Sequence, residues 1–183
     1  MAPEPTGRDR IIDAALHLFA ERGHDAVSVR DIAAAAGVAL GLISHHFGSK
    51  DGLRQAVDAH VIGLFDHMTD AAIATSTGPN ANVADGFASI LINQLPPGSP
   101  IPAYLRRLLL SGDPAGRALF ARWHALSAHL LEAMTAAGAA RASADPQVRA
   151  AFLMVNDLAM ILLHEHITSA IGTDPLEPDG AAR

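Results

Sequence analysis

A chain of 183 residues is long enough to bury a core, and suits one compact unit or a small module joined to a larger one. Half of its residues are hydrophobic and 17% are charged, which excludes disorder, while 4% aromatics favours helices over sheets. Cysteine is absent, so disulfides, thiolate metal sites and thiol redox chemistry are excluded, and the net charge of −6 does not point to a nucleic-acid partner. Residues 1–54 hold six Lys/Arg against seven Asp/Glu and therefore only −1 of that charge, so any DNA contact depends on the placement of a few cations. Met1 to Thr6 lacks the basic start and apolar run of a secretion signal. Ala150 to Leu163 is too short to cross a bilayer, and a cytoplasmic location is expected.

Thr6 with Asp9 three residues on has capping-box spacing, and Ile11, Ala15, Leu18 and Phe19 recur at helical period until Gly23. This predicts a helix over 7–22. Ser28 and Asp31 form a second box, with Val27 and Ile32 placed as a hydrophobic staple, and Gly37 ends a short helix over 29–36. The next segment, Leu40 to Phe47, follows almost at once. Two short helices joined by a tight glycine turn make a helix-turn-helix.

Ser49 is placed to cap a fourth helix, whose apolar positions Leu53, Val57, Val61, Leu64, Phe65, Met68 and Ala72 hold helical period; it could link two domains mechanically. Thr75 to Asn82 is a turn-rich break. Helices are then expected near 82–95 and 102–111, around the Pro/Gly linker Pro96 to Pro102. Asp113-Pro114 opens a helix to about 137, with Leu119, Trp123, Leu126, Leu130 and Met134 on one stripe. Asp145-Pro146 opens the last, over 146–171, with Val148, Phe152, Val155, Ala159 and Leu162. Those two helices carry more apolar surface than one bundle hides, which predicts a homodimer.

The expected fold is all-α: a three-helix helix-turn-helix domain over 1–54, its first six residues flexible, then a helical bundle over 55–173 and a tail over 174–183. About nine helices are expected in all.

The motif with most information runs from R-I-I-D-A-A-L-H-L-F-A-E-R-G (Arg10 to Gly23), through V-S-V-R-D-I-A-A-A-A-G-V (Val27 to Val38), to G-L-I-S-H-H-F-G-S-K-D-G-L (Gly41 to Leu53). With turn, caps and core in register, this stretch resembles the DNA-binding domain of the TetR family. The resemblance implies a homodimeric, ligand-responsive repressor of a palindromic operator in double-stranded DNA. Its third helix would enter the major groove, and its C-terminal half would dimerise and bind a small-molecule inducer. It implies neither an enzyme nor a cofactor or membrane partner.

Carried over residue by residue, the resemblance makes Ala39, Leu40, Leu42, Ser44 and His45 the outward positions of the recognition helix. Arg30 matches a position that reaches DNA, where a guanidinium grips guanine or phosphate in bidentate fashion. His46 and Lys50 match phosphate-touching positions. The chain departs from the family in having Ser44 and His45 where aromatics are usual, and Ala39 where a capping Ser or Thr is common. Leu40 and Leu42 offer apolar groups, which suits thymine methyls and DNA shape. Each residue also has an ordinary use: Arg30 as a solvated surface group, the two leucines as packing.

The C-terminal half is less specific. His67, Met68, Tyr104, Trp123 and Asn156 are the residues that could face a ligand, with core packing as the alternative for Tyr104 and Trp123. His164-Glu165-His166 lacks the four-residue spacing that puts two histidines on one helical face, so it is not read as a metal motif. Competing readings are a helical enzyme or ligand-binding protein with a non-functional helix-turn-helix, and an activator without an inducer.

Overall fold

The computed structural model describes residues 4–76, 95, 96 and 98–174. These are α1 (Gly7–Arg22), α2 (Val29–Ala36), α3 (Leu40–Phe47), α4 (Lys50–Ser76), α5 (Ile101–Leu110), α6 (Pro114–Ala136), α7 (Pro146–Leu162) and α8 (His164–Ile171), with no strand among the described residues. The helix expected near 82–95 and the tail beyond 174 lie outside the described residues, as does most of the turn-rich break.

The chain divides into two compact units, Met1–His67 with Gly98–Arg107, and Met68–Pro97 with Leu108–Arg183. The division falls inside α4, after His67, and inside α5, after Arg107, whereas the boundaries expected from the sequence are at residues 54 and 173.

In the first unit local chemistry sets the helix ends. Thr6 Oγ1 accepts from Asp9 N–H at 3.2 Å while Asp9 accepts from Thr6 N–H at 3.0 Å, and Ser28 with Asp31 repeats the arrangement at 3.2 and 2.8 Å. The Ser28 hydroxyl and then its backbone N–H hold the Asp31 carboxyl below its ordinary value, and Thr6 does the same to Asp9. Gly37 closes α2 with φ 62°, a left-handed conformation that glycine adopts without a Cβ clash. Val38 N–H reaches Ala33 O at 3.0 Å and Gly37 N–H reaches Ala34 O at 3.2 Å, the pair of bonds that turns a chain sharply out of a helix. The unit's core takes Ile11, Ala15 and Phe19 from α1, Ile32 from α2, Ile43 from α3, Leu53, Val57 and Val61 from α4 and Leu105 from α5.

In the second unit α6 packs on α7. Asp113 and Asp145 cap them, each followed by proline at the first helical position. Leu119, Trp123 and Leu131 of α6 are buried, as are Ala150, Met154, Leu158 and Ile161 of α7. The stripe read from the sequence is α7's other face: Val148, Phe152 and Val155 are 64, 74 and 51% exposed. Residues 148 and 150 differ by about 200° around a helix, so α7 has two apolar faces and buries one.

The helix expected to run unbroken over 146–171 is instead two. Leu163 leaves helical geometry (φ −115°, ψ 14°) and α7 and α8 meet at 76°. Neither glycine nor proline marks the break. Among the described residues no single helix is long and apolar enough to cross a membrane.

Candidate DNA interface

The surface that could meet DNA is built on α2, α3 and the start of α4. Ile43 points inward and is fully buried, which rotates the rest of α3 to the outside. Leu40, Ser44, His45 and His46 are exposed, Leu40 at 45%. Ala39 is the exposed N-cap of α3 and makes no side-chain cap bond, so the helix starts on the backbone alone. Leu42 is half-buried, and a Cβ added to Gly7 would come within 3.1 Å of its Cδ2. Part of its apolar surface is therefore turned toward the first turn of α1.

Arg30 is exposed in the first turn of α2. Lys50, half-buried, opens α4. Beside it the Ser49 hydroxyl accepts from Gly52 N–H at 3.0 Å. Seven of the eight predicted positions lie on α3 or at the helix starts flanking it, and Arg30 lies on the helix before the turn.

Three residues that shape this surface were missed from the sequence. Gly52 is needed because a Cβ there would lie 2.1 Å from the Phe47 carbonyl oxygen, so only glycine lets α4 begin that close to the end of α3. His24 stands in the α1–α2 turn with Asp25 at 3.2 Å and Asp51 of α4 at 3.5 Å, the second an ion-pair distance rather than a hydrogen bond. Arg107 of α5 donates to the carbonyls of Ala20 and Glu21, both at 2.8 Å, and so closes the end of α1. Gly52 lies inside the first turn of α4 and His24 in the turn after Gly23, and neither has a spacing signal for its role; nothing in the sequence connects Arg107 to α1.

Of the residues expected to face a ligand, Tyr104 is buried in the first unit, with its hydroxyl donating to Asp58 at 2.6 Å. Trp123 is buried in the second unit, Asn156 and His67 are exposed, and the Met68 side chain lies outside the described residues. A separate groove of about 770 Å³ in the second unit is lined by His124, His129, Glu132 and Thr135 of α6, with Ser143 and Arg149 facing them. None of the five expected residues lines it.

An exposed second helix behind a tight glycine turn, with Arg30 and Lys50 on the helix starts either side of it, is the arrangement of a helix-turn-helix module. Comparison with known proteins places it. The family model described as "Bacterial regulatory proteins, tetR family" matches residues 11–57, and "Tetracyclin repressor-like, C-terminal domain" matches residues 98–180. The HTH-type transcriptional regulatory protein RaaS of Mycobacterium tuberculosis is 33% identical over 167 residues, which span 89% of this chain and 75% of that protein. The chain belongs to the TetR family of transcriptional regulators.

A second relative, the HTH-type transcriptional regulator BetI of Brucella suis, is 37% identical over 81 residues, 44% of this chain and 41% of that one. The fatty acid degradation regulator FadR from Bacillus halodurans has the same fold, with TM-score 0.75 at 18% identity over 98% of this chain and 95% of its own. FadR from Bacillus subtilis, solved in complex with stearoyl-CoA, gives TM-score 0.72 at 17% identity over 91 and 90% of the two chains.

Proposed function

We propose that the protein is a cytoplasmic, homodimeric repressor that binds a palindromic operator and is released by a small-molecule inducer. The observation that carries this reading is the outward face of α3, with Ile43 buried behind it and Leu40, Ser44, His45 and His46 exposed. In it Ala39, Leu40, Leu42, Ser44 and His45 meet base edges, Arg30 grips guanine or phosphate, and His46 and Lys50 hold backbone phosphates.

Dimerisation is supported by the exposed row Val148, Phe152 and Val155 on α7, which a second copy would cover by symmetry. Inducer binding is supported by the α6–α7 groove, whose volume of about 770 Å³ lies in the range that holds drug-sized molecules. The stearoyl-CoA complex of the Bacillus subtilis FadR is an instance of this fold holding a ligand.

The test is fluorescence anisotropy with labelled DNA from the region upstream of the gene, across salt concentration. Wild type should bind a palindromic site more tightly than unrelated DNA. Lys50→Ala should weaken both and flatten the salt dependence, and Arg30→Ala should cost roughly 1–3 kcal/mol and relax preference at particular base pairs. Unchanged affinity and salt slope in both variants would remove this surface from the DNA interface.

A further inference from the structure

The first turn of α1 is fastened to the recognition helix at two points. Gly7 approaches Leu42, where a Cβ would stand 3.1 Å from the leucine Cδ2. One residue on, the Arg8 guanidinium lies 5.5 Å from the centroid of the Phe47 ring. His46 meets that same ring edge-on at 5.9 Å, and His45 meets His46 at 5.2 Å. Arg8, Phe47, His46 and His45 therefore form one continuous row in which the three basic side chains are exposed.

A cation over a ring is held by its charge rather than by its N–H groups, so stacking on Phe47 restrains the guanidinium and leaves its donor fork available. Arg8 forms no ion pair among the described residues. After the Thr6 bonds, its charge helps to hold the neighbouring Asp9 carboxyl low. Among the described residues no carboxylate lies within ion-pair distance of the guanidinium, which stacks on Phe47 next to His46 of α3.

We infer that Arg8 is a further DNA-contact residue, which grips a backbone phosphate flanking the half-site that α3 reads. The inference rests on the proposed meeting of α3 with operator DNA. Phosphate, rather than a base edge, is the partner because Arg8 stands on α1 at the margin of the α3 face. A guanidinium fork matches two phosphate oxygens, and a contact of this kind fixes the register of the protein without carrying sequence information.

The test measures affinity and salt dependence for Arg8→Ala, Arg8→Lys, Arg10→Ala, Thr6→Ala and Lys50→Ala on operator and on unrelated duplex. Arg8→Ala should weaken both DNAs by a similar factor and reduce the salt slope by about one unit for each protomer bound. Arg8→Lys should keep the slope. Thr6→Ala weakens the start of α1 without removing charge, and should leave the slope as in wild type. Arg10→Ala removes the same charge two residues on, toward the other side of the helix, and should change the slope less. Equal losses for Arg8→Ala and Arg10→Ala would reveal a general charge effect and overturn the inference, as would an operator-only loss with an unchanged slope. If Lys50→Ala flattens the salt dependence and Arg8→Ala does not, Arg8 is not a contact and the α3 interface stands. If no variant changes binding, the interface itself fails.

Discussion

The Tyr104 hydroxyl donates a 2.6 Å hydrogen bond to Asp58 Oδ1, tying α5 to α4 through a carboxylate that is only 6% exposed. Arg54, one helical turn before Asp58, brings its Nε to 3.9 Å from the other carboxylate oxygen. A buried carboxylate needs donors, because desolvation without them costs more than the bond returns when made.

Tyr104→Phe keeps the ring and removes that donor. It should destabilise the protein by about 1–3 kcal/mol. Urea denaturation should show a lower midpoint with an unchanged slope, and an unaltered midpoint would mean that Asp58 does not depend on this bond.

Arg107 closes α1 from outside the helix, donating to the carbonyls of Ala20 and Glu21 at the end where the helix dipole is negative. Arg107→Ala should cost about 1–2 kcal/mol, toward the low side for charged hydrogen bonds because the guanidinium is exposed. Hydrogen exchange should quicken in the last turn of α1. Arg107→Lys, which lacks the fork, should recover only part of the loss.

The Ser28 cap lowers the Asp31 carboxyl from its ordinary value of 3.8, chiefly through the hydroxyl bond and then the backbone bond. A depressed folded value means that the unfolded chain binds the proton more readily. The resulting stabilisation is complete above the unfolded value and is lost as pH falls through the folded one. Ser28→Ala should therefore narrow the stability gap between pH 5 and pH 2, conditions of the measurement chosen to bracket about 3.9. The check is an NMR titration of Asp31, which should shift upward in the variant. An unmoved titration would show that the hydroxyl does not set it.

On α7, Phe152 is 74% exposed between Val148 and Val155. Phe152→Glu would place charge at the centre of the proposed dimer face, where burial without a partner is costly. Light scattering should report a monomer, and the palindromic operator should be bound far more weakly than by wild type. A variant that remained dimeric would place the interface elsewhere.

Local chemistry was legible in the residues themselves. Thr6 with Asp9, Ser28 with Asp31, Asp113-Pro114 and Asp145-Pro146 act within a few residues of each other, so spacing alone foretells their bonds. The helix-turn-helix was legible for the same reason, since Gly37 and the single inward Ile43 decide the turn and the exposed face within one short segment.

Tertiary structure decided the rest. Tyr104 meets Asp58 across 46 residues of sequence and Arg107 meets Ala20 across 87, and neither pairing leaves a periodic trace. The outward turn of Phe152 was hidden because α7 has apolar residues on two faces, and periodicity finds a stripe without telling which one the neighbouring helix covers. The break at Leu163 has no glycine or proline to announce it; only the folded chain shows the backbone leaving helical geometry there. Arg8 and Phe47, likewise distant in the chain, become neighbours only when α1 and α3 share a core, because side-chain contact depends on distance in space rather than on order along the chain.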